Sequence, residues 1–221
     1  MWMRFNPLVR EARQLVQSGR LGPIRHIRAE VGYAVSPDRM QDACRGPVWD
    51  FSVYALSLFQ FVLGDPDSVE GAAIRSPVSG TTFSGTCRWP EATASLTASI
   101  DAELSNCAEI VGTKGRITLG PPFFGPSWMR ASGPLFPGSR LGARIAGFFD
   151  ALQGSARRSS RFQRIVDDQS GFYHEAREAT EALREGRLES GIIPHRDTLA
   201  VLRMARALQD GMINGKTDPD S

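Results

Sequence analysis

Apolar residues recur along the chain with two different periods, and each change of period marks an expected change of element. Between Asn6 and Gly19, the side chains of Leu8, Ala12, Leu15 and Val16 share one helical face. Asn6 is placed as the N-cap, Pro7 suits the first helical position, and Gly19 and Gly22 end the helix. Ahead of it, Trp2–Phe5 is apolar and reads as a short strand. Over residues 27–35, Ile27, Ala29, Val31, Tyr33 and Val35 alternate with polar positions, the period of a strand with one buried side. Residues 47–63 form a helix that is apolar nearly all round and therefore buried on most sides. Strands follow at Ser68–Ile74, 81–89 and 92–104, the last alternating Ala92, Ala94, Leu96, Ala98, Ile100 and Ala102 with Thr, Ser and Asp. Residues 107–111 and Arg116–Leu119 read as a hairpin across residues 112–115.

Further on, residues 120–140 carry nine Gly or Pro and read as a loop or insertion. Leu141, Ile145, Phe148, Phe149 and Leu152 recur at helical spacing, and the Arg/Ser-rich residues 155–164 read as mobile. Two helices close the chain. One spans residues 172–185, with Ala176, Ala179 and Leu183 inward and Gly186 as its stop. The other spans residues 198–209, with Asp197 as N-cap and Leu199, Leu202 and Ala205 inward. Residues 214–221 read as a flexible tail. The element order predicts an α+β fold, a mostly antiparallel open sheet with helices packed on one face.

Composition narrows the chemistry. With 221 residues, 41% hydrophobic and 23% charged, the chain has enough apolar surface for a buried core. No window approaches the roughly 18 apolar residues of a membrane span, and residues 1–7 do not form the apolar centre of a signal peptide. A cytoplasmic protein is expected. Cys44, Cys87 and Cys107 have no close pairing, so buried thiols are expected rather than disulfides or a metal site. His26, His174 and His195 lack metal-ligand spacing. None of the 22 glycines lies two residues from another, so no G-x-G phosphate cradle exists in the sequence. Arginine dominates the basic residues, and seven arginines fall within residues 130–164. Without interleaved aromatic residues this cluster reads as a solvated loop, and nucleic acid is not expected as a partner.

The clearest candidate chemistry lies in the buried helix. Asp50 and Tyr54 are four residues apart and share a face. A carboxylate that orients a tyrosine hydroxyl is a workable proton-transfer pair. The same two residues also read as a helix cap and a core side chain.

Three segments carry a family resemblance: residues 1–7, residues 19–25, and Gly46 to Tyr54. Together with residues 110–117, 172–176 and 186–194, they resemble the glucose-fructose oxidoreductase/inositol dehydrogenase/rhizopine catabolism (Gfo/Idh/MocA) family, in its dihydrodiol dehydrogenase-type branch. The resemblance implies a C-terminal α+β domain at residues 23–213, preceded at residues 1–22 by the last strand and helix of a Rossmann nucleotide-binding domain. An insertion is expected at about 120–170. Asp50 and Tyr54 fall at the family's catalytic positions beside the nicotinamide. Trp49, Tyr173 and His174 are implied as substrate contacts and Arg4 as a cofactor contact, with NAD or NADP as the cofactor. Ser52 stands where the family usually has glycine, and the family's E-K-P lysine has no counterpart.

The expected function is therefore that of a substrate-binding and dimerisation domain of an NAD(P)-dependent oxidoreductase acting on a sugar-like or diol CH–OH group. It is expected to be inactive alone, because the dinucleotide cradle is missing. Expected partners are a second copy through the open sheet face, a separate nucleotide-binding chain and a small-molecule substrate. The alternative is a non-catalytic oligomerisation or binding module that uses the same sheet face. Trp2, Phe5 and the apolar face of the first helix are expected to form an exposed edge.

Overall fold

A computed structural model describes residues 1–34, 48–74, 82–133, 160–164 and 171–214. Eight strands form one sheet: β1 (Ile24–Gly32), β2 (Ser68–Ile74), β3 (Thr82–Arg88), β4 (Thr93–Ser99), β5 (Ala108–Gly112), β6 (Arg116–Leu119), β7 (Trp128–Ser132) and β8 (Ser160–Arg164). Their order is β2-β3-β4-β1-β5-β6-β7-β8, and every neighbouring pair is antiparallel except β1 with β4. Among the described residues four helices accompany the sheet: α1 (Pro7–Gln17), α2 (Val53–Leu63), α3 (Gly171–Arg184) and α4 (His195–Asn214). The architecture is the α+β open sheet that the patterning predicts. The expected helix near Leu141 and Leu152, and the tail from residue 215 on, lie outside the described residues.

One sheet face carries the core. Ile27, Ala29 and Val31 of β1 point the same way as Phe83 and Cys87 of β3, Ala94, Leu96 and Ala98 of β4, and Ile110 of β5. They meet Ala55, Leu56, Leu58 and Phe59 of α2 in a single apolar cluster. Burial raises the Cys87 thiol to about 12, so it is inert, and it raises Cys107, which is half-buried, as well. At the β2–β3 edge α4 comes very close. A Cβ at Gly85 would stand 2.6 Å from Leu208 Cδ2, and one at Gly71 would stand 3.0 Å from it. These two glycines let the helix seat directly on the backbone.

The first segment corrects an expectation. Trp2–Phe5 is a 3-10 turn, not a strand. Met3, Arg4 and Phe5 are all buried in succession, which a tight helical turn permits and a one-sided strand does not. The expected exposed apolar edge is also absent: Met3, Leu8, Val9 and Ala12 join the same core as the sheet. Asn6 caps α1 as expected, its Oδ1 accepting from the backbone N–H of Leu8 at 2.9 Å and of Val9 at 3.4 Å.

Strand ends differ from the sequence reading for a local reason. β1 stops at Gly32 because Asn106, at φ 53°, clamps it. Its side chain accepts from Gly32 N at 2.9 Å and donates to Gly32 O at 3.0 Å. β4 stops at Ser99, whose Oγ accepts from the backbone N–H groups of Asp101 and Ala102 and closes a turn. The Gly/Pro-rich stretch hides β7, with Met129 and Ala131 buried. The stretch expected to be mobile contains β8, paired with β7 from Trp128↔Arg164 to Ser132↔Ser160.

The closing helices are rotated relative to expectation. In α3, Leu183 is 79% exposed, Ala176 and Ala179 are exposed, and Ala182 is the buried residue. In α4, Val201, Met204, Ala205 and Leu208 face the core, while Leu199 and Leu202 face outward. Asp197 lies inside α4 rather than capping it. Its carboxylate is engaged by Arg4 instead, at 2.8 Å, and this tie together with the Leu208 seat sets the rotation.

The opposite sheet face is polar, and none of the described helices covers it. There His26 Nδ1 lies 2.9 Å from Thr93 Oγ1 and Nε2 lies 3.1 Å from Ser95 Oγ. Desolvation, then the Arg28 charge, lower the His26 pKa from its ordinary value of 6.5, against an opposing pull from Glu109. The folded state thus prefers neutral His26. Its contribution is intact above pH 6.5 and is lost as the pH falls below that value, levelling off beneath the folded pKa. Urea midpoints measured from pH 8 to pH 5 should show a steeper acid decline in the native chain than in His26→Gln. Parallel curves would refute the assignment.

Candidate functional site

The buried helix begins with a widened turn. Val48–Ser52 is π-helical and runs directly into α2. Ser52 is fully buried, and its hydroxyl donates to the Val48 carbonyl, a side-chain bond back to the preceding turn that accompanies the wider winding. Such turns recur at functional sites because they re-aim side chains from a rigid element. Here the turn carries Asp50, and Tyr54 follows in the first turn of α2, with both side chains half-buried. The structure keeps the pair at one end of a helix anchored in the core.

Around Tyr54 stands a wall of aromatic rings. Phe124 stacks on Tyr54 with centroids 4.5 Å apart and planes at 26°. Trp2 meets Tyr54 edge-on at 6.3 Å, Phe124 at 5.9 Å and Phe172 at 5.4 Å. Tyr33 bridges Phe51, at 5.9 Å, and Phe124, at 6.5 Å. Each favourable ring pair contributes roughly 0.5–1.5 kcal/mol beyond its area, so the wall is held in place before any ligand arrives. Burial, and then Glu103 and Tyr54 nearby, raise the Tyr33 hydroxyl pKa above its ordinary value. The result is an aromatic enclosure around the Tyr54 ring, with Asp50 four residues earlier in the widened turn.

The other residues named from the sequence are dispersed. Trp49 is turned toward α4, where its Nε1 donates to Gln209 Oε1 at 3.0 Å. Tyr173 is 49% exposed and meets the His174 ring edge at 5.5 Å. The α3 ring that reaches the enclosure is Phe172, through Trp2. Arg4 is 1% exposed, and its guanidinium is engaged inside the protein. Nε donates to Ser57 Oγ at 2.9 Å, Nη1 to Asp197 at 2.8 Å, and Nη2 to Gln60 Oε1 at 2.7 Å. A structural role therefore replaces the cofactor contact expected of Arg4. Sequence reasoning missed Trp2, Tyr33, Phe51 and Phe124. The available signal was the Phe123-Phe124 pair between Pro122 and Gly125, since bulky rings in a Gly/Pro-rich loop need somewhere to pack.

The model of the GFO/IDH/MocA C-terminal domain matches residues 9–118, the stretch that holds β1, the widened turn and Tyr54. The chain belongs to the Gfo/Idh/MocA family. Among curated proteins it is 29% identical over 209 residues to trans-1,2-dihydrobenzene-1,2-diol dehydrogenase of Homo sapiens. It is 27% identical over 208 residues to the enzyme of the same name from Bos taurus. Each alignment covers 88% of this chain and 55% of the relative, so the chain spans about half the length of the curated relatives it matches. Among solved structures, aldose-aldose oxidoreductase from Caulobacter crescentus, complexed with glycerol, aligns at a TM-score of 0.75 with 20% identity, over 98% of this chain and 61% of that one. Levoglucosan dehydrogenase, in complex with NADH and levoglucosan, aligns at 0.74 with 17% identity, over 96% of this chain and 63% of that one. These structural likenesses establish the family's open-sheet fold in this chain.

Proposed function

We propose that the chain is the substrate-binding and dimerisation domain of an NAD(P)-dependent oxidoreductase that acts on a CH–OH group of a cyclic diol or sugar-like alcohol. The observation that carries this reading is Tyr54 set in an aromatic wall at the start of α2, directly after the widened turn that holds Asp50, in a chain of this family. A dinucleotide does not fit the residues present. Its phosphates need a glycine-rich strand-to-helix turn, the sequence contains no G-x-G, and the one parallel strand pair among the described residues, β1 with β4, is not joined by such a turn. The cofactor is therefore assigned to another domain or chain, residues 1–22 are read as the link toward it, and this chain by itself is read as inactive.

Within that assembly the chain's own residues handle substrate and proton. The aromatic wall holds the ligand's ring and excludes water from one side. In the carbonyl-reducing direction Tyr54 donates its phenolic proton to the substrate oxygen, and in the alcohol-oxidising direction its oxygen takes that proton back. Asp50, one turn earlier, is the positioning carboxylate. The polar sheet face, with Ser84, Thr86, Thr93, Ser95 and Thr97 among its short side chains, is read as the surface where two copies meet in a cytoplasmic dimer.

Two measurements on the purified 221-residue chain test this reading. Sedimentation at tens of micromolar should give a dimer, and titration with NADH or NADPH should give no micromolar binding. A monomer would refute the sheet-face assignment. Micromolar dinucleotide binding would refute the assignment of the cofactor elsewhere.

A further inference from the structure

A second cleft lies at the far end of α2 from Tyr54. Phe61, on its wall, is seven residues beyond Tyr54, about 10 Å along the helix axis. The cleft has a volume of about 610 Å³ and is bounded by α1, the C-terminal end of α2 and the first turns of α4. Its charge is unbalanced. Arg13, Arg196 and Arg203 line it, with Asp65 and Asp197 as the carboxylates among the lining residues. Asp197 is already engaged by Arg4 at 2.8 Å and lies 3.4 Å from Arg196. Three guanidinium groups thus line the cleft, and with Asp197 matched by the buried Arg4 only Asp65 stands against them, an excess of two positive charges.

Arg13 is the telling residue. Its guanidinium lies over the Phe61 ring at 4.2 Å, which fixes its plane, while its buried Nε has no hydrogen-bond partner. Arg203 forms no ion pair among the described residues. Like charge adds to this: burial first, and the Arg13 charge as a smaller contribution, lower the pKa of Arg4 nearby against the pull of Asp197. A structure that collects guanidinium groups, stacks one flat and leaves its donor unmet is short of an anion.

We propose that this cleft binds a phosphoryl dianion between Arg13 and Arg203, at a site separate from the Asp50/Tyr54 enclosure. A dianion matches the excess charge, and its oxygens can accept from guanidinium donors on α1 and α4 together. The group comes either as free phosphate or on a phosphorylated sugar, and the two sources share this chemistry. Because the site stands on Arg13 and Arg203, it does not depend on the oxidoreductase reading.

Calorimetric titration of the purified chain with inorganic phosphate and with glucose 6-phosphate, at constant ionic strength set with chloride, tests the proposal. Saturable binding is expected. Arg13→Gln and Arg203→Gln should each weaken it about tenfold or more, as loss of a charged hydrogen bond does. Arg25→Gln, whose guanidinium pairs with Glu91 elsewhere, and Tyr54→Phe should leave it unchanged. Thermal melts without phosphate check that the variants are folded, and both Gln variants are expected to melt no lower than the native chain because each removes a repelling charge. Tighter binding of glucose 6-phosphate identifies a phosphorylated sugar, and equal binding identifies free phosphate. Absence of binding, or binding that Arg25→Gln weakens as much as Arg13→Gln and Arg203→Gln do, overturns the site. In that event the cleft's occupant is an acidic protein segment or bulk counterions.

Discussion

Arg4→Met is expected to destabilise the protein by about 3–5 kcal/mol, the cost of removing one partner from a buried ion pair. Arg4 is 1% exposed and holds three elements at once, with Ser57 and Gln60 on α2 and Asp197 on α4 reached from the 3-10 turn at the start of the chain. Burial pushes its pKa down, while the hydrogen bond and charge of Asp197 push it back up, so the guanidinium stays charged and needs its carboxylate. Methionine keeps much of the volume but leaves Asp197 with only the exposed Arg196 beside it and takes the Arg4 donors from Ser57 and Gln60. Set against a typical domain stability of about 5–15 kcal/mol, the loss is large. Urea midpoints read it directly. A shift under about 1 kcal/mol would mean that the network is replaceable and that Arg4 serves some other purpose.

Tyr54→Phe should lower kcat by about 10²–10⁴-fold, the range for losing a positioned acid/base group, when the chain is assayed joined to the nucleotide-binding half of a dihydrodiol dehydrogenase relative. The substitution deletes only the hydroxyl, so the ring still stacks on Phe124 and KM should change only a few-fold. Asp50→Asn combined with Tyr54→Phe should cost little more than the worse single change, because residues that act as a unit are not additive. A Tyr54→Phe variant with native kcat would remove Tyr54 from the chemistry and leave it as part of the aromatic wall.

Several elements were legible in the sequence because their causes are local. The cap at Asn6 works through its own side chain on the next two amides. The alternation in β3 and β4 reflects one buried face. The place of Asp50 and Tyr54 at the start of the buried helix was legible too, because the long apolar run that follows them is local. What the sequence hid depends on distant partners. Trp2–Phe5 turns tightly because Arg4 reaches 193 residues ahead to Asp197. The inward face of α4 is chosen by two glycines on β2 and β3 that admit Leu208, and no helical period reports that. The aromatic wall gathers Trp2, Tyr33, Phe51, Tyr54, Phe124 and Phe172 from six separate positions, so only the fold shows that they are one surface.

That surface is tested most directly by a binding titration of the purified chain with a cyclic trans-diol, followed by the NMR signal of the Trp2 indole. A saturable shift at Trp2 is expected, lost in Phe124→Ala, weakened in Tyr54→Phe and unaffected by Arg203→Gln. A Trp2 signal that ignores the diol, or one that responds equally in Phe124→Ala, would contradict it.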